Sequence, residues 1–310
     1  MTQDRPRNMA ASVRQRLMNT AKEQKEAFDP VLLRYALERL LYRLSQSSHR
    51  DRFVLKDAML FQTWSGQVHR PTRDLDFLGL ASPSLSDFER IFREVCEQSV
   101  EDDGLQFQAE SVHADRMKED EEYEGLRLRF QANLASARIP IQIDIGFGDA
   151  VTPEPDEIAY PTLLDFPAPT LKAYPRETVV AEKFQAMVML GIANSRMKDF
   201  YDVWTLARQF AFSGPELRKA IGATFERRKT VPPQSPPLAL TTEFTEDQQK
   251  LTQWRAFLRK NKLDAEGMTL TEISEVLKPF LMPPAEALAV GRDFEMNWPP
   301  NGPWRANPKS

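Results

Sequence analysis

Asp74 and Asp76 stand two residues apart in the stretch Asp74-Leu75-Asp76-Phe77-Leu78-Gly79. On an extended strand such residues share a face, so the two carboxylates point the same way. Side by side they repel, and each raises the cost of ionising the other unless a cation lies between them. A divalent ion is the simplest such cation, and oxygen-only ligands favour magnesium or manganese over zinc. The same Asp-x-Asp pattern also describes the solvated face of an edge strand. A metal centre therefore requires a third ligand and a place for phosphates. Asp144 is the candidate ligand. Ile139, Ile141, Ile143, Ile145 and Phe147 line one face of its segment, while Gln142, Asp144 and Gly146 line the other. If this strand lies beside the one carrying Asp74, Asp144 completes a cluster of three carboxylates; by itself it reads equally as a solvent-facing side chain.

Positioning these groups takes a sheet. Phe53, Val54 and Leu55 form a short apolar strand, followed by a turn and a short helix from Lys56 to Trp64. Leu105 to Ala114 reads as a strand and Asp115 to Glu122 as an acidic loop. From Glu124 to Gln131 the chain alternates, Leu126, Leu128 and Phe130 inward and Arg127 and Arg129 outward, which is the pattern of a half-buried strand. Pro140 places the start of the Asp144 strand at a sheet edge or a bulge. Around these strands, residues 8–26 read as a helix with Arg14 and Arg16 exposed. A second helix starts at Asp29-Pro30, an N-cap with proline at the first helical position, and carries the stripe Leu33, Leu37, Leu40, Leu41 and Leu44. Ser86 and Glu89 read as a capping box for a helix reaching about Ser99.

A cluster of prolines between 152 and 175 marks a boundary, dividing the chain into 1–165 and 166–310. The second part reads as helical: 177–190 ending at Gly191, then 196–210, 215–228, 245–260, 269–280 and 284–295. The tail from Trp298 onward is expected to be poorly ordered.

Composition sets limits on function. The single cysteine, Cys96, excludes an internal disulfide and reads as core filler, as expected in a reducing cytoplasm. No apolar leader or membrane-spanning stretch is evident, which makes the expected setting cytoplasmic and membrane-free. A net charge of −4 argues against a surface coated in basic residues, so any RNA contact must come from local patches. Candidates are Arg14 with Arg16, Arg218 with Lys219, Arg227-Arg228-Lys229, and Arg255, Arg259, Lys260 and Lys262; each also reads as a solvated helix face. Zinc is disfavoured, because no paired Cys/His spacing occurs.

Two features of the helical part look chemical. Lys183 sits on an otherwise apolar helix, where the alternative is a lysine whose head group reaches water. Asp199 and Asp202, three residues apart, share a helix face just after Arg196 and Lys198; acids at a helix start are also favoured by the macrodipole.

The ordered motifs FVLKDAMLF, HRPTRDLDF, IQIDIGFGD, YPRETVVAEK and NSRMKDFYD resemble the AbiEii/AbiGii nucleotidyltransferase toxins, a group that includes the MenT toxins. The resemblance covers roughly residues 8–230. It implies an α+β fold, a DNA-polymerase-β-like nucleotidyltransferase core (a mixed sheet flanked by helices) followed by an α-helical C-terminal domain. It implies transfer of a nucleoside monophosphate from a nucleoside triphosphate to RNA, with the tRNA 3′ end as acceptor and translation as the process blocked. Such toxins come from toxin–antitoxin or abortive-infection operons, beside an antitoxin with a DNA-binding domain. By resemblance, Asp74, Asp76 and Asp144 bind Mg²⁺ or Mn²⁺, and Asp199, or else Asp202, is the late catalytic or structural aspartate. Thr72 occupies the position of a family Ser or Thr; Lys56 and the turn after it approach the triphosphate; Lys183 neutralises its phosphates, with Lys198 beside it.

At one position the chain departs from the family. Asp57 stands where a glycine is expected after Lys56. Glycine there permits close backbone approach and leaves amide hydrogens open to phosphate, whereas aspartate adds a negative charge beside a negative ligand. The expected effect is weakened nucleotide binding. Two other readings follow: nucleotidylation or phosphorylation of a protein on the same core, or a catalytically weakened module acting through a partner.

Overall fold

The computed structural model describes residues 8–66, 69–80, 84–119, 123–263 and 268–306. In chain order the elements are α1 (Met9–Glu23), α2 (Phe28–Gln46), β1 (Phe53–Lys56), α3 (Met59–Ser65), β2 (Leu75–Gly79), α4 (Leu85–Glu97), β3 (Leu105–Glu119), β4 (Tyr123–Leu134), β5 (Ala137–Phe147), β6 (Asp156–Ala159) and β7 (Thr170–Ala173). They continue with α5 (Arg176–Leu190), α6 (Met197–Gln209), β8 (Phe212–Ser213), α7 (Gly214–Arg227), α8 (Thr242–Thr245), α9 (Gln248–Asn261), α10 (Leu270–Ala289), β9 (Met296–Trp298) and β10 (Arg305–Ala306). The chain divides into two units. The first runs to Gly148 and takes up Asp156–Ala173; the second comprises Asp149–Pro155 and the chain from Tyr174.

The first unit is built on a mixed sheet with strand order β3-β4-β5-β2-β1-β7-β6. Alternation along β4 and β5 sends Leu126, Leu128, Ile143 and Ile145 into the core, as period-2 patterning requires. Phe53 of β1 packs between Phe77 of β2 and Phe88 and Phe92 of α4, with ring centroids 5.5, 6.2 and 5.4 Å away. Pro140 lies in the part of β5 that pairs with β4 alone, since β2 meets β5 only from Ile143 onward. The missing N–H therefore costs no ladder bond on that side.

Several local expectations shift. The capping box of α4 is Ser84 with Asp87, not Ser86 with Glu89. Glu89 instead reaches β3, accepting from the Ala114 N–H at 3.0 Å. Helix α2 begins before Asp29, after Ala27, without a side-chain cap, and α3 begins only at Met59 because Lys56 completes β1. The region expected to be a proline-rich boundary contributes β6 and β7, and the 165/166 division falls in the loop between them. Of the acidic loop, residues 115–119 belong to β3 and residues 120–122 lie outside the described residues. Arg14 and Arg16 are half-buried, not exposed, with guanidinium groups 5.4 Å from the Phe28 ring and 5.3 Å from the Phe166 ring.

The second unit is mostly helical. The helices expected at 269–280 and 284–295 are one helix, α10, with Pro279, Pro283 and Pro284 inside it. The tail is ordered as β9 and β10 through Ala306. Trp298 is buried and its Nε1 donates to the Ala207 carbonyl at 2.6 Å, while Trp304 stacks on Phe280 at 5.9 Å. Among the described residues no helix is long and apolar enough to cross a membrane.

Candidate active site

Three strand pairings set the site in the first unit. Lys56 is opposite Asp76 in the antiparallel β1–β2 pair, and Asp76 is beside Asp144 in the parallel β2–β5 pair. Arg127 is opposite Asp144 in the antiparallel β4–β5 pair. Residues paired across neighbouring strands send their side chains to the same face. Lys56, Asp76, Asp144 and Arg127 therefore form one row across the sheet, on strands spaced about 4.8 Å apart. Their neighbours in sequence, Leu55, Phe77, Ile143, Ile145 and Leu128, occupy the buried face, so all four members of the row are left only part-buried.

Asp74 immediately precedes β2. The Thr72 hydroxyl donates to its Oδ1 at 3.1 Å, which orients the carboxylate. Asp144 is held more firmly. Arg127 donates Nε to Oδ1 at 2.7 Å and Nη2 to Oδ2 at 2.6 Å, and Gln142 Nε2 adds a long contact to Oδ1 at 3.5 Å. Among the described residues no three His, Cys, Asp or Glu side chains are gathered as a ready metal site. Asp74, Asp76 and Asp144 are all-oxygen donors, the type a divalent ion of the Mg²⁺ class takes, and of the three Asp76 and Asp144 stand in register. Both oxygens of Asp144, the expected third ligand, already accept from Arg127.

Asp57, next to Lys56, has φ +64°. That is the left-handed region, where glycine is at ease and aspartate is among the few other residues tolerated. The physical demand for glycine at this turn is thus present in the chain that lacks it. His69 stacks on Phe61 of α3 with ring centroids 4.1 Å apart and planes 10° from parallel.

In the second unit Lys183 of α5 meets Asp199 and Asp202 of α6. Its Nζ lies 2.9 Å from Asp199 Oδ1 and 3.1 Å from Asp202 Oδ2, and all three residues are buried. The lysine does not snorkel to water. A buried ammonium needs counter-charge, and the shared helix face of Asp199 and Asp202 supplies it. Lys198, at the start of α6, is exposed.

The sequence reading missed two groupings. One is Arg127 as the partner of Asp144. A two-residue turn between Leu134 and Ala137 fixes that register, but Ala135-Ser136 carries no turn signature, and Ala135 adopts φ +52° all the same. The other is a buried polar cluster under α2. Arg43 grips both oxygens of Asp103 at 2.7 and 3.0 Å, and Arg39 adds 2.9 Å to Asp103 and 2.8 Å to the Pro167 carbonyl. Burial pushes the Asp103 carboxyl up, but the hydrogen bonds and charges of Arg43 and Arg39 outweigh it, and its pKa ends below the usual range. Glu38 accepts from the Leu163 N–H at 2.7 Å, and burial lifts its pKa to about 7. Cys96 is buried on α4 with its thiol pushed up to about 12, as suits core filler.

Two solved structures match the chain at low similarity. JHP933 from Helicobacter pylori is similar at a TM-score of 0.48 and 14% identity, over 84% of this chain and 92% of its own. A candidate nucleotidyltransferase from H. pylori is similar at 0.45 and 16% identity, over 83% of this chain and 93% of its own. No curated protein sequence matches the chain. Residues 39–277 match the model of the nucleotidyl transferase AbiEii toxin of type IV toxin–antitoxin systems, and the chain belongs to that family.

Proposed function

We propose that this nucleotidyltransferase transfers a nucleoside monophosphate to an RNA acceptor, with the 3′ end of tRNA as the substrate. The hydroxyl oxygen of the acceptor bonds to the α-phosphorus, the bond from that phosphorus to the bridging oxygen breaks, pyrophosphate leaves, and the hydroxyl loses its proton. Asp74, Asp76 and Asp144 would hold Mg²⁺ or Mn²⁺, which when bound activates the attacking oxygen and neutralises the leaving one. The observation that carries this reading is the Asp76–Asp144 register pair, two carboxylates from strands far apart in sequence on one sheet face.

Lys56, in register with Asp76, is placed on the row to meet phosphate charge. Thr72 fixes the Asp74 carboxylate. By the family resemblance Lys183, here paired with Asp199 and Asp202, would supply positive charge toward the triphosphate, and Lys198 adds exposed positive charge. The type IV toxin–antitoxin system supplies an antitoxin as the genetic partner, and in this reading it carries a DNA-binding domain. Blocked translation is the expected consequence of a capped tRNA end.

The test is incubation with total RNA, Mg²⁺ and each labelled triphosphate in turn. Label should appear on tRNA with one triphosphate and vanish with Asp76→Asn. Label on protein instead would replace the acceptor and keep the chemistry. The left-handed backbone at Asp57 favours one secondary reading, a weakened enzyme acting partly through its partner; Asp57→Gly should then raise activity.

A further inference from the structure

We propose that Arg127 is a positioning residue that occupies Asp144 until a nucleotide arrives, so that metal binding at this site is coupled to triphosphate binding. The inference rests on the metal-site reading above and adds a residue to it. Arg127 commits two donors to the two Asp144 oxygens, at 2.7 and 2.6 Å. Those are the oxygens that Asp144 would offer a cation, and the guanidinium adds a like charge beside it. Both effects oppose metal entry.

The surroundings aim Arg127 at Asp144. Its other cross-strand neighbour, Asp115, is engaged by Arg129, whose Nη1 lies 2.9 Å from Asp115 Oδ2. Arg127 remains partly exposed, 29% of its side chain against 14% for Asp144, so it can be reached by an incoming anion. A triphosphate is the anion that matches its planar fork, and it arrives with a cation of its own. Exchange of Asp144 for phosphate as the partner of Arg127 releases Asp144 to the metal at the moment when substrate is present.

Mn²⁺ binding to the full chain, followed by the electron paramagnetic resonance of the free ion, tests this with and without a non-hydrolysable nucleoside triphosphate. Without nucleotide, Arg127→Gln should bind Mn²⁺ at least about tenfold more tightly than the wild type, and Arg127→Lys, which keeps the charge but loses the fork, should fall between them. The tightening should disappear in the Arg127→Gln/Asp144→Asn double variant. Nucleotide should strengthen Mn²⁺ binding more in the wild type than in Arg127→Gln. An arginine that merely supported a metal ligand would behave oppositely, its loss weakening metal binding by about 10- to 100-fold. That sign, or no change, overturns the proposal; if Arg127→Gln does not fold, the sign of Arg127→Lys decides. Asp76→Asn separates the two levels. If it leaves Mn²⁺ binding intact, the carboxylate site itself is wrong and this inference falls with it; if it abolishes binding while Arg127→Gln fails to tighten it, only the role of Arg127 is lost.

Discussion

Asp57 combines an electrostatic cost with a conformational one. At φ +64° an L-residue pays about 1 kcal/mol that glycine avoids, while glycine in the unfolded chain gives up a comparable amount in entropy. Asp57→Gly should therefore leave the melting temperature nearly unchanged and raise nucleotide affinity by about tenfold, as removal of one nearby negative charge implies. Calorimetric titration and thermal melting on the same preparation separate the two effects. Lys183 presents the reverse balance. Its loss leaves Asp199 and Asp202 buried without the cation that spans them. Lys183→Met should cost about 3–5 kcal/mol in urea unfolding, and adding Asp199→Asn and Asp202→Asn should recover much of it. If Lys183→Met proves as stable as the wild type, the cluster contributes nothing to the fold.

At the scale of elements, two contacts are open to direct test. Glu38 ties α2 to the loop between β6 and β7 through the Leu163 N–H. Its pKa of about 7, raised by burial from 4.5, means the folded protein keeps a proton that the unfolded chain releases between those values. The stability this group contributes is complete below the unfolded value and is lost as pH rises through about 7, by up to ~3 kcal/mol. Glu38→Gln should flatten the melting temperature between about pH 3.5 and 8 (about one unit beyond each value). In the second unit, α7 starts against the strand that follows α10. A Cβ at Gly214 would lie 2.5 Å from the Met296 carbonyl oxygen and 2.6 Å from that of Phe294. Because those atoms are backbone, Gly214→Ala should shift β9 and cost about 1–3 kcal/mol, visible in the fluorescence of Trp298. The same region shows packing overriding local preference. Pro279, Pro283 and Pro284 lack the N–H a helix interior uses, yet α10 continues through them with Phe280 set against Phe212, Trp298 and Trp304 at 5.1, 4.9 and 5.9 Å.

At the scale of the whole molecule, the chain belongs to the AbiEii nucleotidyltransferase toxin family, and the chemistry proposed for it calls for a divalent ion. Chelation should abolish labelling of RNA, and added Mg²⁺ or Mn²⁺ should restore it. The alternation of polar and apolar residues determined the strands and the faces of Asp76 and Asp144, because side-chain direction on a strand is set by its own backbone, residue by residue. It also determined the shared face of Asp199 and Asp202, for the same reason in a helix. Which strands would meet is a different kind of fact. The parallel pairing of β2 with β5, the Arg127 fork on Asp144, the counter-charges around Lys183 and the ordering of the C-terminal strands all join residues distant in the chain. Only closure of the tertiary structure brings such groups within a few ångströms, and electrostatic and packing energies become decisive only at that range.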